Sequence, residues 1–244
     1  MVKDGILEVV IDWPAVRNAL GPAEASELTA RLAVAESEDC RCVVLRADGP
    51  VFCAGGNLRA VIALVGEGDD ALRRGLYGAF QGLFRTLVLL PVPVIAAVAG
   101  PAIGLGLDLA LACDVSFFRP GITVRQGWSS LNLIPATGGL YYACGRGGVQ
   151  AAWKLLCAGG REIMTDEIVS WGLGQLAPDP DEAARQAARV LAQQPRDRLV
   201  ASKRLIREGD LAAHLAAALE YQIGFLEDPH FHDAAARALQ HQPT

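Results

Sequence analysis

The sequence has little positive charge. Its 22 lysine and arginine residues are outnumbered by 27 aspartates and glutamates, which leaves a net charge of −5. A nucleic-acid-binding domain needs a basic face to neutralise phosphates, so this balance argues against DNA or RNA as a partner. Lysine is nearly absent, with only Lys3, Lys154 and Lys203. We attribute this mainly to genome composition, with the further option that some arginines bind phosphate.

Motifs for metal, redox and nucleotide chemistry are missing. The first two of the six cysteines are separated by one residue, which fits neither a zinc nor a redox spacing, and we expect buried free thiols. There is no HExxH and no Walker A sequence. A dinucleotide fingerprint that begins at Gly104 would need glycine where Leu109 stands. The segment 127–131 lacks the last glycine of a nucleophile elbow. We therefore expect neither a metal nor a nucleotide cofactor.

One long uncharged run, from Thr86 to Leu107, reaches the length of a membrane span. Prolines and glycines interrupt it repeatedly, so we expect a buried strand, a tight loop and the start of a helix instead. At the N-terminus, Lys3 and Asp4 precede an alternating stretch that is typical of a strand and not of a signal peptide. These features predict a cytoplasmic protein without membrane contact.

The first half of the chain alternates between strand and helix patterns. A chain of 244 residues that is 52% hydrophobic is long and apolar enough to bury a core without disulfides. The alternation predicts an α/β protein with a mostly parallel sheet covered by helices. The second half is predicted to be nearly all helical, over residues 149–158, 165–171, 181–193, 196–208, 211–226 and 230–240.

Two glycine-rich turns follow buried strands, at Cys53–Asn57 and at Gly104–Asp108. Ligands bind at the carboxyl ends of parallel strands, where such turns gather. The second turn opens a helix, whose free N–H groups favour negative charge. Two N–H groups that face each other would form an oxyanion hole. On spacing alone, structural turns explain these glycines as well as a binding site does.

The chain resembles the crotonase superfamily of enoyl-CoA hydratases and isomerases over nearly its whole length. The matching segments are, in order, W-P-A-V-R-N-A-L (13–20), V-V-L-R-A-D-G-P-V-F-C-A-G-G-N-L (43–58), P-V-I-A-A-V-A-G-P-A-I-G-L-G-L-D-L-A-L-A-C-D (93–114), N-L-I-P-A-T-G-G (132–139), T-D-E-I-V-S-W-G-L (165–173) and A-S-K-R-L-I (201–206). The order and spacing of these segments make the resemblance far more specific than a single glycine turn.

The resemblance implies a spiral of ββα units over residues 1–190 and a helical C-terminal trimerisation region over 191–244. It also implies homotrimers that can pair into hexamers, and an acyl-CoA thioester as substrate, with no cofactor apart from that coenzyme A. The thioester carbonyl would lie between the backbone N–H groups of Gly56 and Leu105, which would stabilise an enolate. The remaining substrate-binding positions implied are Arg17, Ala19, Ala54, Gly104 and Trp128.

The sequence departs from the family pattern at the catalytic carboxylates. Hydratases of the family use two glutamates, and the first falls at Asp108, a shorter carboxylate that can still transfer a proton. The second falls at Trp128, which neither accepts nor donates a proton at neutral pH. Trp128 is explained equally by stacking on an acyl group and by filling the core. Other polar candidates nearby are Arg125 and Gln126, and, on the C-terminal helix, His230 and His232.

Three functions remain open at this point. The leading hypothesis is enoyl-CoA hydration or double-bond isomerisation with Asp108 as the acid and base. The second is decarboxylation or retro-Claisen cleavage of a β-carboxy or β-keto thioester, in which the enolate forms without a second carboxylate. The third is a non-catalytic acyl-CoA-binding protein that keeps the oxyanion hole.

Overall fold

Strands and helices alternate through the first half of the chain, as the sequence predicts. The structure is a computed structural model that describes residues 1–206 and 211–240. The strands are β1 Val2–Lys3, β2 Ile6–Ile11, β3 Cys42–Ala47, β4 Val94–Val98, β5 Ala102–Ile103, β6 Val115–Phe118, β7 Thr123–Arg125, β8 Ile163–Met164 and β9 Gln175–Leu176. The helices are α1 Pro22–Ala33, α2 Leu58–Val65, α3 Gly78–Leu89, α4 Leu105–Ala112, α5 Gly139–Cys157, α6 Thr165–Ser170, α7 Pro180–Ala192, α8 Arg196–Ile206, α9 Leu211–Leu226 and α10 Pro229–Gln240.

The main sheet has the strand order β1-β2-β3-β4-β6-β9. Its strands pair in parallel from β2 to β9, and β1 alone is antiparallel. Every residue of β4 is buried, as expected for a central parallel strand with both faces covered. Alternate residues face two clusters: Val94 and Ala96 pack in the large core that includes α1 and α3, whereas Ile95 and Ala97 pack against α7.

A strand–strand–helix pattern recurs through the middle of the chain. In each repeat, one strand joins the main sheet and a second, very short one lies beside the turn that precedes a helix. The first repeat is β3, the bridge residue Cys53 and α2; the second is β4, β5 and α4. Cys53 pairs with Ala102 of β5, and β5 pairs with β7 of the next repeat. This stacking brings the two glycine-rich turns side by side.

The second half of the chain contains strands that the sequence pattern missed. β7, β8 and β9 have only two or three residues each, too few for an alternating pattern to register. α5 is interrupted at Gly148, whose φ of +77° and ψ of 177° are not helical, so the helix predicted at 149–158 corresponds to the second part of α5. The predicted end of the helix 196–208 lies partly outside the described residues. Within those residues, no helix combines the length and the apolar character needed to cross a membrane.

The cysteines are free thiols, as expected, and most of them are buried. Cys40, Cys42, Cys53 and Cys113 are inaccessible, Cys144 is half-buried and Cys157 is exposed. Burial raises the pKa of both Cys42 and Cys53 to about 12. These two thiols therefore stay protonated at neutral pH and act as small apolar side chains of the core.

Replacing Gly106 with alanine is expected to destabilise the protein by about 1–3 kcal/mol, because the core has no room for a methyl group there. A Cβ atom at Gly106 would overlap the carbonyl oxygen of Cys53 and lie 2.7 Å from its Cβ. Gly82, in the middle of α3, has no atom within 4 Å of such a Cβ, so Gly82→Ala should stabilise by about 0.5–1 kcal/mol. Urea unfolding measures both; equal stabilities for the two variants would contradict the close contact.

Candidate functional site

Backbone hydrogen bonds hold the two glycine-rich turns together. The Ile103 N–H donates to the carbonyl oxygen of Cys53 at 3.0 Å, and the Phe52 N–H donates to Pro101 at 3.1 Å. Gly55 has a φ of +100°, and a Cβ atom there would lie 2.8 Å from the Ile103 oxygen. Glycine is required at this position both for its backbone conformation and for the close approach.

Each turn presents, at the cavity, a backbone N–H group that has no acceptor among the described residues. Gly56 pairs with Leu20 in a parallel bridge, but its neighbours make the hydrogen bonds. The Leu20 N–H donates to the Gly55 carbonyl oxygen at 2.9 Å, and the Asn57 N–H donates to the Leu20 carbonyl oxygen at 2.8 Å. Leu105 is the first residue of α4, where an N–H has no partner within the helix. Among the residues described, neither N–H donates to a protein acceptor. Both residues line one cavity, so two free donors face the same space.

This cavity has a volume of about 390 Å³. Six of the eight residues that the sequence predicts for the site line it: Arg17, Ala54, Gly56, Gly104, Leu105 and Trp128. Apolar side chains from α2 and from the segment after Trp128 form much of its wall, with Ala238 of α10. The remaining two predicted residues, Ala19 and Asp108, are not among the lining residues. The first half of the chain thus supplies the donors, and the last helix contributes to the wall.

Asp108 is fully buried beneath the cavity. Its Oδ2 accepts hydrogen bonds from the Thr137 hydroxyl at 2.6 Å and from the Trp128 indole N–H at 3.1 Å. The Gln126 amide donates to Oδ1 at 3.2 Å. A Cβ atom at Gly139 would lie 2.6 Å from Cγ of Asp108, so this glycine closes the remaining side. The carboxylate is therefore enclosed, and the side chain that lines the cavity next to it is Trp128.

The enclosure changes the acidity of Asp108. Burial raises its pKa to about 6, while the hydrogen bonds from Thr137, Gln126 and Trp128 act in the opposite direction. The Gln126 Oε1 atom is buried and has no hydrogen-bond partner in the described part of the chain. A protonated Asp108 could donate to this amide oxygen after a flip of the Gln126 side chain. The site can consequently hold a proton close to neutral pH.

The position of Trp128 is compatible with both interpretations that the sequence leaves open, core filling and contact with an acyl group. Its ring is only 6% exposed and packs in the core, yet it lines the cavity. Its N–H group is used by Asp108, which fixes the plane of the indole ring. None of the lining residues in the described part of the chain carries a carboxylate.

Two arginines lie at the cavity. The carbonyl oxygen of Arg17 accepts a hydrogen bond from the Ala54 N–H at 3.1 Å, which ties the segment before α1 to the first glycine-rich turn. Arg125 is the last residue of β7, and its carbonyl oxygen accepts from the Gly104 N–H at 2.8 Å beside the second turn. Sequence reasoning noted Arg125 but did not include it in the site. The sequence signal that could have placed Arg125 in the site is its position two residues before Gly127. It was not used because β7 is too short to be predicted from the sequence.

The other polar candidates lie away from the cavity. The Asn57 side chain accepts from the Ala60 N–H at 3.3 Å and caps α2, which is a structural role. His230 and His232 are exposed at the start of α10, and His230 contacts Asp228 at 2.7 Å. Within residues 1–206 and 211–240, no group of three or more histidine, cysteine or acidic side chains is arranged to hold a metal ion.

Solved structures define the class of protein. An enoyl-CoA hydratase from Bacillus halodurans superposes with a TM-score of 0.90, over 97% of this chain and 98% of that one, at 16% sequence identity. At this identity the likeness concerns the fold alone, which is the crotonase fold. The mixed α/β architecture and the helical C-terminal region that the sequence predicts are therefore confirmed.

Sequence comparisons then give the family. A sequence model of the enoyl-CoA hydratase/isomerase family matches residues 1–241. The chain is 31% identical to a "Probable enoyl-CoA hydratase" of Rhodobacter capsulatus, over 99% of this chain and 94% of that protein. It is 33% identical to the "Probable enoyl-CoA hydratase EchA14" of Mycobacterium tuberculosis, over 96% and 93% of the two chains. The chain belongs to the enoyl-CoA hydratase/isomerase family.

Replacing Asp108 with asparagine is expected to flatten the pH dependence of stability. With a folded pKa of about 6 against an ordinary value of 3.8, the native state binds the proton more tightly than the unfolded chain. The free energy of unfolding should thus fall by about 3 kcal/mol in total as the pH rises from about 3 to about 7. Asp108→Asn removes this loss, because asparagine carries no charge and its NH₂ group can donate to a flipped Gln126.

Urea unfolding at about pH 5 and about pH 7.5 measures the effect, with Asp39→Asn as a control for loss of an exposed carboxylate. Asp108→Asn should exceed the wild-type stability at the higher pH, and its advantage should shrink at the lower one. A constant difference between wild type and Asp108→Asn at the two pH values would show that Asp108 does not titrate in this range.

Proposed function

We propose that this protein binds an acyl-CoA thioester with the carbonyl oxygen between the backbone N–H groups of Gly56 and Leu105. The observation that carries the proposal is the pair of free N–H groups at one cavity. As negative charge develops on the thioester oxygen, these two donors stabilise the enolate. The reaction that best suits the family is enoyl-CoA hydration or double-bond isomerisation.

The helix behind Leu105 strengthens the proposed oxyanion hole. All eight residues of α4 are buried, and its first residue, Leu105, lines the cavity. The helix dipole places partial positive charge there, and apolar surroundings screen it less than water would. The same features favour an oxyanion over a neutral carbonyl, which is the difference that catalysis requires.

The coenzyme would lie along the segment that joins Arg17 to the first turn. Arg17 and Ala54 are linked through their backbones, and Gly104 faces them in the lining of the cavity. We propose that Ala19 contributes through the backbone next to Leu20, which pairs with the first turn. Apart from the coenzyme A of its substrate, no cofactor enters this scheme.

Asp108 is the proposed proton donor and acceptor, and its enclosure sets a condition on that role. The carboxylate reaches a substrate in the cavity when the Trp128 indole moves aside and gives up its hydrogen bond. The competing role is to position Trp128, without proton transfer. Asp108→Asn should lower turnover about a hundredfold or more if Asp108 transfers the proton, while Trp128→Phe retains turnover. If Asp108 only positions the ring, the two variants should lower turnover to a similar extent.

Two alternatives share one favouring observation, the lack of a carboxylate among the described lining residues. Cleavage of a β-carboxy or β-keto thioester needs no second carboxylate, because the broken carbon–carbon bond supplies the enolate electrons. A binding protein without turnover needs none at all. Release of carbon dioxide or of an acid from a panel of such thioesters identifies the first, and tight binding without any turnover identifies the second.

The oxyanion hole can be tested with two substitutions of Leu105. Proline lacks the N–H group and is tolerated at the first position of a helix, whereas alanine keeps the N–H group. Both variants lose the buried leucine side chain. Leu105→Pro should lower the hydration rate of crotonyl-CoA about 100- to 1000-fold relative to Leu105→Ala. The conjugated thioester absorbance follows the reaction, and thermal unfolding shows that both variants are folded.

Equal rates for the two Leu105 variants would remove this N–H group from the mechanism. If the wild type binds crotonyl-CoA without hydrating it, the oxyanion hole can still be tested by measuring affinity. Leu105→Pro should then bind the thioester more weakly than Leu105→Ala. Hydration by the wild type would exclude the pure binding role.

We also propose that the protein forms trimers, and hexamers from pairs of trimers, in the cytoplasm. The C-terminal helices expose large apolar side chains: Leu205, Ile206 and Tyr221 are 76%, 81% and 65% accessible. Burying them against neighbouring subunits would remove apolar surface from water. Sedimentation equilibrium gives the number of subunits, and a monomer at micromolar concentration would contradict the proposal.

A further inference from the structure

One arginine at the cavity, Arg125, has no acidic partner within residues 1–206 and 211–240. Arg125 lines the cavity together with Gly127 and Trp128. Its Nε atom is buried and has no hydrogen-bond partner, and no carboxylate of the described chain pairs with its guanidinium. An arginine cannot lose its charge by deprotonation, so this positive charge is permanent.

Arginines elsewhere in the described chain show what Arg125 lacks. Arg31 pairs with Asp12 and Glu27, and Arg73 pairs with Asp69 and Glu220. These pairs lie on the surface, where water would also solvate the charge. A guanidinium with a buried and unsatisfied N–H group is costly unless a ligand supplies an acceptor. The position therefore favours a ligand with negative charge.

The backbone around Arg125 attaches it to the second glycine-rich turn, next to the proposed oxyanion hole. Its carbonyl oxygen holds the Gly104 N–H, one residue before the donor Leu105. Three residues later comes Trp128, at the position that carries the second catalytic glutamate in related hydratases. Arg17, the other cation of the cavity, is attached instead to the first turn through Ala54. The two arginines are thus attached to different turns of the cavity.

We propose that Arg125 binds a carboxylate on the acyl group, so that the preferred ligands are coenzyme A monothioesters of dicarboxylic acids. This inference rests on the proposed function, because it takes the thioester carbonyl to lie at Gly56 and Leu105. A guanidinium offers two parallel N–H donors to a carboxylate, which fixes its orientation as well as its charge. The apolar wall formed by Val61, Leu131 and Leu133 suits the methylene groups between the two carbonyl carbons.

The test compares thioesters that differ only in the terminal charge. Succinyl-CoA is paired with butyryl-CoA, glutaryl-CoA is paired with pentanoyl-CoA, and coenzyme A alone reports on its phosphates. Isothermal titration is carried out on the wild type, on Arg125→Gln and Arg125→Lys, and on Arg85→Gln as a control. Arg85 is exposed on α3 and is not among the lining residues, so its substitution removes one positive charge away from the cavity.

The wild type and Arg85→Gln should bind at least one dicarboxylic thioester about tenfold or more tightly than its neutral counterpart, as expected for a charge-assisted bidentate contact. Arg125→Gln should bring this ratio close to one, while its affinity for butyryl-CoA and for coenzyme A changes less than about twofold. Arg125→Lys, which keeps the charge without the planar fork, should give an intermediate ratio.

Two results would overturn the proposal. If the wild type shows no preference for the carboxylate, Arg125 does not recognise it. If Arg125→Gln weakens coenzyme A and all four thioesters equally, Arg125 binds a phosphate of the coenzyme instead. Binding of butyryl-CoA by the wild type is independent of Arg125 and tests the proposed function separately. Failure of every thioester to bind a folded wild type would reject both.

Discussion

One backbone contact determines the geometry of the site: the pairing of Cys53 with Ala102, with the Ile103 N–H donating to the Cys53 carbonyl oxygen. It joins two turns that come from different strands of the main sheet, and it sets how far apart the Gly56 and Leu105 N–H groups lie. Gly55 and Gly106 are needed for this contact, because a side chain at either would strike the backbone of the opposite turn. The parallel sheet brings the two turns to one edge, and the backbone contact between them fixes their relative position.

Much of this architecture could be predicted from the sequence. Most strands and helices up to Phe118 follow from apolar periodicity, although β1, α2 and β5 were not predicted, and the two turns stand out by their glycines. The resemblance of the motifs identifies the family, which the comparisons confirm. Strands β7 to β9 were not predicted, because two or three residues are too few to show an alternating pattern. The position of Arg125 at the cavity could not be predicted either, because Arg125 is the last residue of β7. The hydrogen bond from Trp128 to Asp108 could not be predicted, because it joins residues 20 apart in sequence and no local sequence pattern indicates it.

Trp128 gives the pocket a different character from a site with two carboxylates. Where a second acid would offer a proton, the indole ring offers an apolar surface, and its N–H group is directed back to Asp108. The enclosed carboxylate also accepts hydrogen bonds from Thr137 and Gln126, and its pKa is raised because burial removes it from water. Positions 108 and 128 are coupled through a hydrogen bond, so a substitution at 128 is expected to change the environment of Asp108 as well.

The two donors of the proposed oxyanion hole are backbone atoms. A point mutation that changes a side chain leaves an N–H group in place, unless it introduces proline or disturbs the turn. Under the proposed function, side chains such as those at 108 and 128 can therefore be exchanged over evolutionary time while the proposed oxyanion hole persists. New reactions would then differ in the side chains that surround an unchanged pair of backbone donors.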